Sequence, residues 1–281
     1  MHCCIVGAGE MGTWVGRTLA DAGHDVAVAD LDADAADRAA TTVDGGTVPV
    51  SPPPTPESTD RFDAVVLAVP IPAVAEAVAA QAPRAEHAVV DVTGVMGPAL
   101  DAMREHAPDH ERLSLHPMFS TANAPGRIAA VPDATGRVTD AIREALVAAG
   151  NEVFETTATD HDEAMETVQA KAHAAVLAYG LVREAVDPRY HTDVSTALFE
   201  AVESITGSTA HVFGDIQAAF DGAEELAAAA ERVAESRGDP EAFATLYEEA
   251  GRSGGPREDE ETATEGTGSE RADDAAGGDR S

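Results

Sequence analysis

The chain has 281 residues, 44% of them hydrophobic, enough for two domains with cores of their own. Its formal net charge is −33, with 51 acidic against 18 basic residues, so nucleic acid and anionic membranes are excluded as partners. No apolar run approaches the ~20 residues of a spanning helix, and no signal peptide precedes the first strand, so a cytoplasmic protein is expected.

His2 to Val6 is a short apolar, β-branched run ending in glycine, the pattern of a buried parallel strand. Glu10 to Ala22 reads as a helix with Met11, Val15 and Leu19 on one face and Trp14 as packing. The turn between them is Gly7-Ala8-Gly9-Glu10-Met11-Gly12. Gly7 permits the tight turn, Gly9 lets backbone approach a pyrophosphate, and Gly12 lets the helix pack close to the strand. The helix N-terminus offers its N–H groups to phosphates. A second strand, Asp25 to Asp30, ends in an acid placed to bond a ribose 2′-hydroxyl. Asp30, Asp32 and Asp34 would repel a 2′-phosphate, so the expected cofactor is NAD rather than NADP.

Ser51 to Pro56 is a stiff proline-rich loop without chemistry. Asp63 to Val69 is a buried strand, with Pro70 and Pro72 opening the helix after it. Val69 and Pro70 end that strand where backbone can touch the cofactor. His87 to Asp91 is a strand, Pro98 to His106 a helix, and His116 ends a further strand. Arg127 to Val131 and Glu152 to Glu155 are strands around a helix from Gly136 to Ala149. The alternation implies an α/β fold, an N-terminal Rossmann-type doubly wound parallel sheet over residues 1–157.

From Thr159 the strand signal stops. Asp160 to Glu184 reads as one long helix, followed by helices over Thr192 to Ile205, Ser208 to Phe220 and Ala223 to Arg237. Asp239 and Pro240 cap and open a last helix to Glu248. An all-α domain over 158–250 is expected, serving substrate binding and dimerisation. Residues 251–281 are acidic with almost no apolar side chains and read as a disordered tail. Cys3 and Cys4 are adjacent on a buried strand and read as small apolar packers, and no metal-ligand pattern is present. Lys171 is the only lysine. Such an acid excess resembles that of halophilic proteins, whose self-repulsion is screened over ~3 Å at ~1 M salt.

Four segments carry a resemblance to the prephenate dehydrogenase family over residues 2–250. They are the turn Gly7 to Gly12, the loop Asp91-Val92-Thr93-Gly94-Val95-Met96, the segment His116-Pro117-Met118-Phe119, and His161-Asp162 followed by Gln169, His173, Tyr179, Gly180 and Leu181. The resemblance implies an enzyme of tyrosine biosynthesis acting as a homodimer through its helical domain. It would oxidise prephenate at the hydroxyl-bearing ring carbon, pass hydride to NAD, and release carbon dioxide to form 4-hydroxyphenylpyruvate. It further implies that Thr93, Gly94, Ser120, Gln169 and His173 line the substrate.

The sequence departs from the family in places. The family's Asp-x-x-Ser-x-Lys loop has Gly94 and Met96 at the serine and lysine positions, with Thr93 as a nearby hydroxyl. Ser120 stands for a family glycine, and Thr196 near a family arginine, for which Arg127, Arg183 or Arg189 are substitutes. Arogenate is the alternative substrate. Other readings are a related small-carboxylate reductase, or a degenerate NAD-binding regulator.

His116 is the candidate base, since a neutral imidazole can accept the hydroxyl proton as hydride leaves. From the residues alone it is equally a strand-end histidine bonded to backbone. His173 faces either the substrate or an interdomain seam, and Gln169, one turn earlier, could share a ligand with it. His161 and Asp162 read as the acidic first turn of their helix.

Overall fold

The computed structural model describes residues 1–50, 61–207 and 209–252. The loop expected over Ser51 to Pro56 lies outside them, as does the tail expected over 251–281 apart from Gly251 and Arg252, which are helical instead. The described residues divide into two packed units, one from Met1 to Ala229 and one from Ala230 to Arg252.

The first unit opens with β1 (His2–Val6), α1 (Glu10–Asp21), β2 (Asp25–Ala29), α2 (Ala33–Val43), β3 (Gly46–Thr47) and β4 (Phe62–Leu67). It continues with α3 (Val74–Gln81), β5 (Ala85–Asp91), α4 (Met96–His106), β6 (Glu111–Pro117), β7 (Arg127–Ala134), α5 (Arg137–Ala148) and β8 (Glu152–Glu155). The helices that follow are α6 (Ala158–Met165), α7 (Ala172–Val182), α8 (Asp193–Thr206), α9 (Ala210–Ala219) and α10 (Gly222–Glu235). Part of α10 belongs to the second unit, followed by α11 (Pro240–Arg252). There Asp239 Oδ1 accepts from the N–H groups of Glu241 and Ala242 at 3.1 Å, the cap the sequence suggested.

The strands form an eight-stranded sheet in the order β3-β2-β1-β4-β5-β6-β7-β8. Strand side chains alternate between faces. Cys3 and Ile5 join Val15, Leu19, Val43 and Ile142 on one side, while Cys4 and Val6 join Val74, Val78 and Met103 on the other. The two cysteines are thus buried and directed to opposite faces.

The expected all-parallel sheet needs one correction: β6 and β7 are antiparallel. Between Pro117 and Arg127 the chain forms only a short turn at Thr121–Asn123. A parallel return needs a crossover of about a dozen residues or more, usually a helix. With α5 supplying that crossover, β8 is parallel to β7.

The long helix expected over Asp160 to Glu184 is interrupted. Between α6 and α7 the segment Glu166–Lys171 is a π-helix, a widened turn that often marks a functional position. Helix α2 and strand β3 were not foreseen. Asp32 caps α2, its Oδ1 accepting from Asp34 and Ala35 N–H at 3.0 and 3.2 Å.

Candidate active site

The site lies at the C-terminal ends of the parallel strands, where open α/β sheets bind ligands. At the end of β1, Gly7 adopts φ +109°, open to glycine without strain. A Cβ on Gly7 would lie 2.2 Å from Ala68 O, and one on Gly12 1.9 Å from Gly7 O. These glycines are required by close backbone approach. Gly9 differs: a Cβ there would meet nothing within 4 Å, so the space above it is open. Gly9 is also the N-cap of α1 and carries no side-chain cap. The first-turn N–H groups of Glu10, Met11 and Gly12 therefore face that space without intrahelical partners.

Asp30 closes the turn from β2. Its Oδ2 accepts from Ala8 N–H at 2.6 Å and its Oδ1 from Asp32 N–H at 2.9 Å. A carboxylate has about four acceptor positions, so capacity remains for ribose hydroxyls. A groove beside the turn is lined by Ala8, Gly9, Glu10, Thr13, Arg17 and Arg38. Open space over Gly9, uncapped N–H groups and a half-used carboxylate fit a dinucleotide. Val69 and Pro70 follow β4 next to Ala68, whose N–H donates to Val6 O at 2.7 Å.

The chemical half starts at β6. Ser114 pairs in register with Asp91 at the end of β5, and His116 follows two residues on. His116 is 7% exposed, and its Nδ1 lies 2.8 Å from Nε2 of His161, which is 3% exposed. His161 Nδ1 lies 2.8 Å from Asp162 Oδ1. Asp162 does not serve the first turn of its own helix. Thr157 caps α6 by accepting from Asp160 N–H, while Asp162 accepts from Met96 and Gly97 N–H at the start of α4. Gly97 makes that approach possible, since a Cβ there would stand 3.2 Å from Asp162 Oδ2.

Burial pushes the Asp162 carboxyl up, but hydrogen bonds from His161, Met96 and Gly97 outweigh it and hold it below the usual carboxylate range. Burial, and then His161, push the His116 imidazole down to about 3, with Asp162 pulling the other way. His116 is therefore neutral at ordinary pH.

Gln169, on the π segment, places Nε2 3.4 Å from His116 Nε2. A Cβ on Gly94 would lie 3.7 Å from the same nitrogen, so glycine leaves that ring edge open. Thr93 does not replace a serine hydroxyl at the site. It is buried and its Oγ1 donates to Asp91 Oδ2 at 2.5 Å. Ser120 is exposed, and its Oγ accepts from Asn123 Nδ2 at 2.9 Å. His173 is not brought onto a partner shared with Gln169; its ring stands edge-on to Phe213 of α9 at 4.7 Å. Burial lowers its pKa, and its Nδ1 has no hydrogen-bond partner among the described residues.

Of the three arginines suggested for a carboxylate, Arg127 pairs with Glu152 and Arg189 with Asp187. Arg183 instead lies over the Phe199 ring, 4.8 Å from its centroid. Sequence reasoning missed the part His161 plays. Its only local signal is the His-Asp pair, which becomes meaningful once α6 is folded against β6 and α4.

A family model described as prephenate dehydrogenase, nucleotide-binding domain, matches residues 15–132. A 4-amino-4-deoxyprephenate dehydrogenase from Streptomyces pristinaespiralis is 34% identical over 271 residues, covering 88% of this chain and 89% of that protein. The chain is similar to the crystal structure of a prephenate dehydrogenase from A. aeolicus in complex with hydroxyphenyl propionate and NAD+. The TM-score is 0.63 at 16% identity, covering 90% of this chain and 97% of that one. The Synechocystis arogenate dehydrogenase structure gives a TM-score of 0.53 at 17% identity, covering 90% and 99%.

Proposed function

The chain belongs to the prephenate dehydrogenase family, and from that premise we propose that it catalyses the NAD-dependent oxidative decarboxylation of prephenate to 4-hydroxyphenylpyruvate. The observation that carries this reading is the neutral, buried His116 at the end of β6, beside a ring edge that Gly94 leaves open. The turn from Gly7 to Gly12 would hold the dinucleotide, the first N–H groups of α1 serving its phosphates and Asp30 the adenosine ribose. Bound there, the oxidised nicotinamide supplies the hydride acceptor. His116 Nε2 accepts the proton of the substrate's ring hydroxyl as the carbon beneath it is oxidised. Gln169 orients that hydroxyl, and Gly94 and Ser120 border the ring. Arg183 is the proposed carboxylate anchor, because both other candidates are committed to acids.

The 34% identical relative is named for an amine-bearing analogue, which favours a second reading. In it the ring substituent is an amine, and the same nitrogen of His116 takes an N–H proton. Arogenate, with an amino group on the side chain, is the remaining alternative. Purified protein in molar potassium chloride is offered each of the three substrates with NAD or NADP, and absorbance of the reduced cofactor is followed. Turnover of prephenate with NAD above the other pairs is expected. Selective turnover of an amine-bearing substrate would replace the leading reading.

The homodimer belongs to the same proposal. Helix α7 is strongly apolar yet has no buried residue, with Leu181 and Val182 exposed at 87% and 76%. A Leu181→Glu variant is expected to sediment as a monomer where the native chain sediments as a dimer. A cytoplasmic setting follows from the cofactor supply, and adaptation to molar salt from the −33 charge. The melting temperature is expected to rise with potassium chloride.

A further inference from the structure

The Asp162 carboxylate faces three donors: Met96 N–H and Gly97 N–H at 3.0 Å each, and His161 Nδ1 at 2.8 Å. An ionised carboxylate only accepts. His161 therefore donates through Nδ1. With one proton on each ring, His161 Nε2 is then a lone pair, and His116 Nδ1, 2.8 Å away, must donate to it. The remaining nitrogen, His116 Nε2, is a lone pair directed toward Gln169 Nε2 and the space beside Gly94. Each donor in the row points toward Asp162.

We infer that His161 and Asp162 are positioning residues that hold His116 in its Nδ1–H tautomer and take over its charge when Nε2 receives the substrate proton. This rests on the reading of His116 as the base. Alone, so deeply buried an imidazole would be a weak one. Asp162 works against that weakness, and the row leads the positive charge to its carboxylate.

The substrate O–H bond breaks and an N–H bond forms at His116 Nε2. The proton on His116 Nδ1 crosses to His161 Nε2, so the imidazolium rests on His161, in contact with Asp162. The hydride would leave with its electron pair for the oxidised nicotinamide that the glycine turn would hold. Loss of carbon dioxide returns the electron pair of its carbon–carbon bond to the ring, leaving a phenolate oxygen. That oxygen takes the proton back from His116 Nε2, and the row resets with no net proton consumed. The acidic groups around the pair are Asp162 on its own helix and Asp91 at the end of β5, whose carboxyl responds electrostatically to His161.

The test uses full-length protein with 15N-labelled histidine in molar potassium chloride. His116 is assigned by difference from a His116→Asn variant, and kcat is measured against pH for the native chain, Asp162→Asn and His161→Gln. The native protein should show His116 as Nδ1–H. In Asp162→Asn the negative charge that would face the imidazolium is gone, and the order of the row is no longer fixed by a group that only accepts. Its kcat should fall by about 10²–10⁴-fold, while KM changes little. His161→Gln keeps an acceptor for His116 Nδ1–H, so the tautomer persists. Its kcat should fall less, and the acid limb should move to lower pH because the charge can no longer leave His116.

A native His116 with its proton on Nε2 would overturn the inference. So would an Asp162→Asn variant with unchanged kcat and pH profile. The tautomer can be read without any substrate, so failure of the row and failure of the proposed reaction are distinguishable.

Discussion

The glycine turn and the histidine row stand at the same end of the sheet but are made of different material. The turn is local and made of backbone: within Gly7 to Gly12, positions are set by where a Cβ would collide with Ala68 O or Gly7 O. The row is distributed and made of side chains, joining His116 to His161 across 45 residues and then to the start of α4 through Asp162. At Gly7 and Gly12 the backbone site tolerates no added Cβ. A side-chain site tolerates shifts in backbone but no change in hydrogen-bond direction.

The sharpest way to break this comparison is to remove the row's end. His116→Asn is expected to lower kcat by about 10³-fold, within the usual range for a general base, and to leave cofactor binding intact. Trp14, the sole tryptophan, lies on α1 just past the turn and reports that binding by fluorescence. A parallel loss of cofactor affinity would mean that the two regions are not separable.

Next come two glycines of one turn. Gly12→Ala forces a Cβ to 1.9 Å from Gly7 O and should lower the melting temperature, with a loss of several kcal/mol or failure to fold. Gly9→Ala meets nothing in the free protein, so its melting temperature should hold while the Kd for NAD rises about tenfold or more. Equal thermal effects would contradict the division between packing glycine and ligand glycine.

Acid stability separates the two regions more gently. The folded pKa of His116, about 3, lies below its ordinary 6.5. Between these values the unfolded chain binds the proton and the folded chain does not. The stabilisation is complete above the unfolded value and is lost as pH falls, at up to about 1.4 kcal/mol per unit. Asp91 runs oppositely. Burial raises it from 3.8 to about 6 despite hydrogen bonds from Thr93, so stability falls as pH rises across that window. Melting curves from neutral pH to about pH 5 should show the His116→Asn variant losing less than the native chain. An equal loss would place the acid sensitivity elsewhere.

The smallest effect is expected at Gly94. Serine there would put a hydroxyl near His116 Nε2 without disturbing packing, since a Cβ sits in ordinary contact at 3.7 Å. A change in kcat of about two- to tenfold, with an unaltered Kd for NAD, would sharpen the view that this edge belongs to substrate alone.

Legibility followed the same division. Strand β1 and strand β8 fall where apolar runs placed them, and α1 ends one residue short of its expected end. Gly7 and Gly12 make the close backbone approaches their spacing assigned, because a strand–turn–helix unit encodes its own geometry. The antiparallel β7 was not legible, since strand direction depends on the length of a link rather than on composition. Helix α2 was hidden because Asp32 and Asp34 were read for their charge, while Asp32 also acts as a cap. Thr93 was read as a hydroxyl facing ligand; burial beside Asp91 turned it inward. The role of His161 depends on a contact between α6 and β6 that no local pattern announces.

The most direct test is prephenate carrying deuterium on the ring carbon that bears the hydroxyl, turned over with NAD in molar potassium chloride. The account predicts one deuterium on the reduced cofactor for each carbon dioxide released, at a rate that collapses in His116→Asn. Deuterium retained in the organic product or lost to water would contradict hydride transfer at that carbon, and with it the placing of His116 as its base.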